Sequence, residues 1–180
     1  MQALLLRDWK NEDVTGWVAS PKLDGWRLIW NGQNFLTRQG KILDAPEWFE
    51  AGMPSAKLDG ELFCDRGGFN EIRLRMKNGW QGLKFHIFDA PCDDLVFSER
   101  FELVESLSLP SHCEVIQHVE LTSTKEFQDL ACAECRLGGE GYVARNPDAF
   151  WKAGRSSDVL RFVPVDPALN RRAVNRLASH

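Results

Sequence analysis

The sequence lacks any apolar run near the roughly 18 residues that a membrane span needs. Its leading stretch, MQALLLRDWKNED, holds one three-leucine run. That is far short of the roughly 7–15 apolar residues of a signal-peptide core, so a cytoplasmic location is expected. No linker, low-complexity segment or second domain interrupts the 180 residues. One globular domain with a short appendage is therefore expected. The five cysteines (Cys64, Cys92, Cys113, Cys132, Cys135) form an odd, scattered set, unlike a secreted disulfide framework. Cys132 and Cys135 make a lone C-x-x-C with no second pair and no nearby histidine, which reads as two reduced thiols on a helix rather than a zinc site.

Positive charge is also scarce overall, with 22 Lys and Arg against 26 Asp and Glu for a net −4. Distribution matters more than the sum. Between Glu71 and His86, Arg73, Arg75, Lys77 and Lys84 face a single acid. Between Arg161 and His180, Arg161, Arg171, Arg172 and Arg176 face only Asp166. Two cationic segments on an acidic body suit a phosphate-backbone partner, and equally suit solvated surface charge.

What is abundant is aromatic and β-forming. Seven Trp and eleven Phe can fill a core and leave rings for a ligand face. Alternating runs dominate the first half: GWVASPKL, WRLIWNG, NFLTRQGKIL, KLDGELFCD and LKFHIFDAP. The Asn-Gly of NGQN signals a hairpin between the second and third. PEWFEAG reads as a helical turn opened by Pro46 and closed by Gly52. FSERFELVESLSL reads as a helix capped by Ser98, with Phe101, Leu103, Val104 and Leu107 as its apolar stripe. HCEVIQHVEL is expected as one strand. Ser123-Thr124-Lys125-Glu126 has capping-box form and opens a helix through about Arg136. GEGYVAR is a strand entered through glycines. Hairpins with interspersed helices argue for an α+β class of mainly antiparallel sheet.

KLDG occurs twice, at Lys22–Gly25 and at Lys57–Gly60, with nothing shared beyond the tetrapeptide. After the first comes Arg27; after the second comes Glu61. Residues two apart on a strand share a face, so Lys22 and Asp24 can point into one cleft, and so can Asp59 and Glu61. Gly25 lets backbone approach a ligand closely. One segment offers an amine beside an arginine. The other offers carboxylates suited to a ribose hydroxyl or a hard cation.

KLDGWR, TRQG, LDGELF, FHIFDAP, GGEGYVAR and AGRSSDVLR, in that order, resemble the motifs of covalent nucleotidyltransferases, specifically ATP-dependent DNA ligases. The spacer APEWFEAGMP and the RGGF after LDGELF resemble the small bacterial ligase E group. The likeness runs from about Trp17 to Pro164. It implies an ATP-grasp-like nucleotidyltransferase fold in an adenylation domain at residues 1–164, with an arginine-bearing tail at 165–180. It also implies ATP and Mg²⁺ as cofactors and nicked duplex DNA as partner. Only Lys22 satisfies the nucleophile pattern Lys-x-Asp-Gly-x-Arg; Lys57 is then a strand-end residue. By the same resemblance Lys22, Asp24, Gly25, Arg27, Arg38, Glu61, Phe88 and Arg161 bind the nucleotide, with Phe88 stacking on adenine. Glu61 and Glu140 hold the metal. Arg38, Arg73, Arg75, Lys77 and Arg155 are the DNA-contacting set.

Two features depart from the family. Its last motif carries two lysines that hold phosphate; here Arg161 stands at the first and Val163 at the second. Arginine keeps charge with altered geometry, whereas valine removes it. Lys152 is one candidate substitute. Only 16 residues follow Pro164, too few for the family's oligonucleotide-binding (OB) barrel. They include Leu169, Val174 and Leu177, which could form an amphipathic stripe. No OB-fold domain is therefore expected, and a separate clamp or DNA-binding protein becomes a possible partner. The resemblance implies an enzyme that forms lysyl-AMP and seals nicks. The alternative is a catalytically impaired, ligase-like DNA- or partner-binding module, and an RNA strand as substrate also stays open.

Overall fold

A computed structural model of the chain describes residues 3–165. Strands and helices follow in the order β1 (Leu4–Asp8), β2 (Val18–Pro21), β3 (Trp26–Trp30), β4 (Phe35–Thr37), α1 (Glu47–Glu50), β5 (Leu58–Phe63) and α2 (Phe69–Lys77). Then come β6 (Lys84–Asp89), α3 (Phe97–Ser106), β7 (Cys113–Val115), β8 (Val119–Glu120), α4 (Thr124–Arg136), β9 (Tyr142–Arg145) and β10 (Gly154–Phe162). They form two five-stranded sheets, ordered β1-β10-β9-β2-β8 and β4-β3-β5-β6-β7. All strand pairs are antiparallel except β1·β10 and β6·β7. The mixed, mainly antiparallel α+β class expected from the sequence is what forms.

The period-2 alternation of the second sheet decides where the site lies. Leu58 and Leu62 of β5, Leu28 and Trp30 of β3, and Phe85 and Ile87 of β6 point into one core with Phe35, Phe49, Ile72 and Val104. The intervening Arg27, Glu61 and Phe88 therefore face the opposite side, toward the first sheet, where they line a common cleft. The first sheet has its own core of Trp9, Val14, Ala19, Leu121, Phe127, Ala144 and Leu160. Residues at the start of β1 join both bodies: Ala3 packs with Ile29 and Leu36, while Leu4 packs with Val143 and Val159.

A buried ion pair ties α3 to β6. Arg100 Nε donates to Asp89 Oδ1 at 2.7 Å and Nη2 to Oδ2 at 3.1 Å. Its Nη1 donates to the carbonyls of Leu95 at 2.9 Å and Ala149 at 3.1 Å, leaving little of the guanidinium unsatisfied.

Several local expectations hold for the expected reasons. The β3–β4 hairpin turns at Asn31, whose side-chain oxygen accepts from the amides of Gln33 (2.9 Å) and Asn34 (2.8 Å), with Gly32 at φ +96°. Ser123 caps α4 by accepting from the Glu126 amide at 3.2 Å. The Glu126 carboxylate reaches Thr122 rather than Ser123, so the reciprocal bond falls one residue upstream. Lys57 is an exposed residue just ahead of β5.

Other expectations are corrected. Helix α3 begins at Phe97 with Val96 as its cap, where Glu99 accepts from the Val96 amide at 3.0 Å; Ser98 lies inside the first turn. HCEVIQHVEL is two strands in different sheets, because the chain crosses between the sheets at residues 116–118. The segment after RGGF, read only as a charged run, is the helix α2. The C-terminal tail from residue 166, with Arg171, Arg172 and Arg176, lies outside the described residues.

Candidate active site

The facing sheets enclose a cleft of about 580 Å³, within the range of small-ligand sites. Lys22, Arg27, Arg38, Arg145, Arg155 and Arg161 line it against two carboxylates, Glu61 and Asp89. An acidic chain thus presents a cationic cavity, as an anionic ligand requires.

Lys22 follows β2, and two contacts fix it. Its amide donates to the Gly141 carbonyl at 2.9 Å, and its ammonium forms an ion pair with the buried Glu140. Gly141 holds φ +146°, and a Cβ there would land on the Phe162 carbonyl, so only glycine fits. Gly25 is equally constrained: a Cβ would strike the Leu62 carbonyl and lie 2.7 Å from Glu61 Cγ. The glycine brings the Lys22 segment flat against β5, and its amide bonds the Glu61 carboxylate. Burial, opposed by Lys22 and Arg27, pushes the Glu61 carboxyl up to about 7.

Arg27 is held by Asp59 in a fork, Nε to Oδ1 at 2.9 Å and Nη2 to Oδ2 at 2.5 Å. Burial pushes the Asp59 carboxyl up, and Arg27 opposes that. Asp59 is thus the anchor that aims Arg27, a pairing that spacing along one strand does not reveal. Phe88 sits beneath two guanidiniums, with Arg27 5.3 Å and Arg145 4.9 Å from its ring centroid.

Arg145 is the residue that motif reading passed over. It ends β9, is 6% exposed, and its Nη1 has no hydrogen-bond partner among the described residues. Arg27 and Arg100 each hydrogen-bond one buried aspartate, whereas Arg145 feels both only through space. Burial pulls its guanidinium down to about 10. A charge at the end of an otherwise apolar strand, in GEGYVAR, was the available signal. Trp26 and Phe69, tilted against each other at 6.4 Å, also line the cleft.

The other expected positions divide into three groups. Arg38 lies in the exposed turn after β4, Arg155 and Arg161 lie on β10, and all three line the cleft. Arg161 Nε donates to Asp8 Oδ1 at 2.6 Å, so β1 aims it. Asp24 is half-buried beside this wall and Glu140 reaches it through Lys22. Arg73, Arg75 and Lys77 lie outside the cleft on α2. Phe69, Arg73 and Lys77 are one turn apart and form one exposed stripe that starts at the cleft wall. Arg75 pairs with Glu71 at 3.1 Å. Lys152 is exposed and does not line the cleft; Arg155 stands on that wall instead. Val163 is half-buried, with its Cα 3.1 Å from where a Gly141 Cβ would sit.

Glu140 pairs with the Lys22 amine from the loop ahead of β9, and the Lys22 charge also acts on the Glu61 carboxyl of β5. No cluster of three or more metal-ligating side chains occurs among the described residues. Two carboxylates fit Mg²⁺, which is commonly held by one or two carboxylates and completed by phosphate oxygens and water. Cys132 and Cys135 lie on α4 as expected, and Cys135 Sγ donates to the Glu140 carbonyl at 3.2 Å. No helix among the described residues is long and apolar enough to cross a membrane.

Two facing sheets around a cationic cleft that holds this lysine form a mixed, mainly antiparallel α+β domain. The chain is similar in sequence and fold to the adenylation domain of ATP-dependent DNA ligases. A DNA ligase of Haemophilus influenzae is 39% identical over 166 residues, covering 88% of this chain and 62% of that protein. The chain thus spans about 62% of the length of the curated relative it matches. A solved structure from a structure–function study of Lig E DNA ligases, on DNA binding with a minimal scaffold, matches with a TM-score of 0.82. It is 27% identical and covers 91% of this chain and 69% of that one. Chlorella virus DNA ligase-adenylate shares the fold, with a TM-score of 0.74 at 20% identity over 90% of this chain and 67% of that one. No protein-family model matches the sequence.

Proposed function

We propose that this chain is the adenylation core of a minimal ATP-dependent DNA ligase that seals nicks in duplex DNA, acting in the cytoplasm. The observation that carries the reading is the setting of Lys22: an amine pinned between the two sheets, paired with Glu140, faced by Glu61, and surrounded by arginines on the wall of a nucleotide-sized cleft.

In the first step Lys22 releases its ammonium proton, attacks the α-phosphorus of ATP as the neutral amine, and loses a second proton to solvent as the phosphoramidate forms. A P–N bond forms, the bond to the β-phosphate breaks, and pyrophosphate leaves. Negative charge spreads over the phosphate oxygens, and Arg161, paired with Asp8, and Arg27, paired with Asp59, are the guanidiniums proposed to meet it. Mg²⁺, held by Glu61 and Glu140, would neutralise further charge on those oxygens. Adenine stacks on Phe88, and Arg145 offers its unsatisfied N–H to the nucleotide. A DNA 5′-phosphate oxygen then attacks the adenylate, breaking the P–N bond. The adjoining 3′-hydroxyl finally displaces AMP and closes the nick.

The DNA path proposed is Arg38 and Arg155 at the cleft and the Phe69–Arg73–Lys77 stripe leading away from it, with Arg75 on the same helix. A separate clamp protein remains part of the proposal.

The test is gel-resolved sealing of a labelled nicked duplex with ATP and Mg²⁺, repeated on an RNA–DNA hybrid and across a salt series. Sealing of nicked DNA that is lost in Lys22→Ala supports the reading. Salt-sensitive binding to nicked DNA without sealing or adenylate overturns it, and leaves the binding module that Val163 pointed to.

A further inference from the structure

Glu140 lies in a run of glycines, Gly138-Gly139-Glu140-Gly141, and glycine is costly to hold in one conformation. Something must fix it. The end of α4 does so in part: the Gly138 amide donates to the Cys135 carbonyl at 3.0 Å, and the Gly139 amide to the Glu134 carbonyl at 2.9 Å. The side chain of Glu134, 8% exposed, folds onto Gly139 so closely that a Cβ there would lie 2.6 Å from its Cγ and Cδ. As it lies, the Glu134 side chain fills the space beside Gly139 that a Cβ would take.

The same carboxylate is ion-paired with Arg66. Arg66 belongs to the other wall. It sits in the short loop that follows β5, five residues after Glu61. The Gly68 amide, donating to the Asp65 carbonyl at 3.0 Å, and Cys64 Sγ, donating to the Gly68 carbonyl at 3.5 Å, shape that loop. One ion pair therefore joins the loop leaving Glu61 to the helix end that carries Glu140. Arg66 is 45% exposed at its side chain, so it contributes little to either core.

We propose that Arg66 and Glu134 form a clasp between the two walls of the cleft, a positioning pair that sets the glycine loop so that Glu140 meets Lys22 opposite Glu61. Removing Arg66 leaves the buried Glu134 carboxylate without its counter-charge, so it turns toward water and releases Gly139. The structural claim stands on the geometry alone; its catalytic consequence rests on the adenylation reading above.

The experiment has two arms, run on the full chain as wild type, Arg66→Ala, Arg66→Lys and Glu134→Gln. The first arm is amide hydrogen exchange without nucleotide. Arg66→Ala and Glu134→Gln should speed exchange across residues 138–141 at least fivefold while β5 and β6 stay unchanged, and Arg66→Lys should keep most of the protection. The second arm is the Mg²⁺ concentration that half-saturates AMP uptake, which should rise several-fold in Arg66→Ala and return toward wild type in Arg66→Lys. Wild-type exchange at 138–141 in Arg66→Ala overturns the clasp, and so does an equal loss of protection throughout the domain. If the wild type takes up no AMP, the adenylation reading fails while the exchange arm still decides the clasp. Altered exchange with unchanged Mg²⁺ dependence overturns the positioning role.

Discussion

Lys22 and Glu140, 118 residues apart in the chain, meet as an ion pair, and the Lys22 amide bonds the carbonyl of the very next residue, Gly141. Backbone register and charge therefore agree on one placement for the amine. The β2–β9 pairing, which sets Pro21 opposite Tyr142, continues directly into this contact. The lysine is fixed by the sheet rather than by a mobile loop.

Gly25 is the second support of that placement. Because a Cβ would collide with the β5 backbone at Leu62, Gly25→Ala has no side-chain rearrangement open to it. A loss of about 1–3 kcal/mol is expected in urea denaturation, together with loss of AMP uptake. An unchanged midpoint would show that the two segments are not pressed together.

Glu61 makes stability depend on pH. Its carboxyl is raised to about 7 by burial, against an ordinary value near 4.5. The folded state then holds a proton that the unfolded state has released, so the contribution of this group is lost as pH rises from about 4.5 through about 7. Glu61→Gln should stabilise the metal-free protein at pH 8 by on the order of 2 kcal/mol, several degrees in Tm, and scarcely at pH 5. An equal change at both pH values, measured by thermal melts in chelator, would contradict this.

Arg145 separates binding from folding. Replacing a buried guanidinium with an unsatisfied N–H by methionine should leave stability within about 1 kcal/mol. If that N–H completes its bonding on the nucleotide, Arg145→Met should raise the KM for ATP roughly 10- to 100-fold, the worth of a hydrogen bond to a charged group. Stopped-flow adenylation against ATP concentration reads it. A large stability loss with unchanged KM would assign Arg145 to the core instead.

Val163 is a loss that can be reversed. It lies beside Gly141, next to the Lys22 amide contact, where the ligases this chain resembles carry a second phosphate-holding lysine. Val163→Lys should raise the rate of AMP uptake about tenfold or more, since a missing charge at a developing phosphate anion costs that much or more. An unchanged rate would mean that Arg155 and Arg161 already suffice.

Much of this was legible in the sequence because it is local. Alternation put Asp59 and Glu61 on one strand face, the Asn-Gly turn fixed the β3–β4 hairpin, and the ordered motifs singled out Lys22 over Lys57. What was not legible depends on contacts between distant segments. HCEVIQHVEL reads as one strand, yet it splits because its two halves pair with β6 and β2 in different sheets. Helix α2 was missed since Phe69, Ile72 and Met76 make too short an apolar stripe among charges. Arg145 closes the GEGYVAR strand with nothing in the linear pattern to mark it, and only its burial beside Phe88 does so. Asp59, Asp8 and Arg66 orient other residues, and no linear spacing encodes such partners.

The central claim is that Lys22 is the nucleophile, and intact mass after incubation with ATP and Mg²⁺ tests it most directly. The expected result is a gain of one AMP in the wild type and no gain in Lys22→Ala. An unmodified wild type that also fails to act on pre-adenylated nicked DNA, or an adduct that persists in Lys22→Ala, would contradict it.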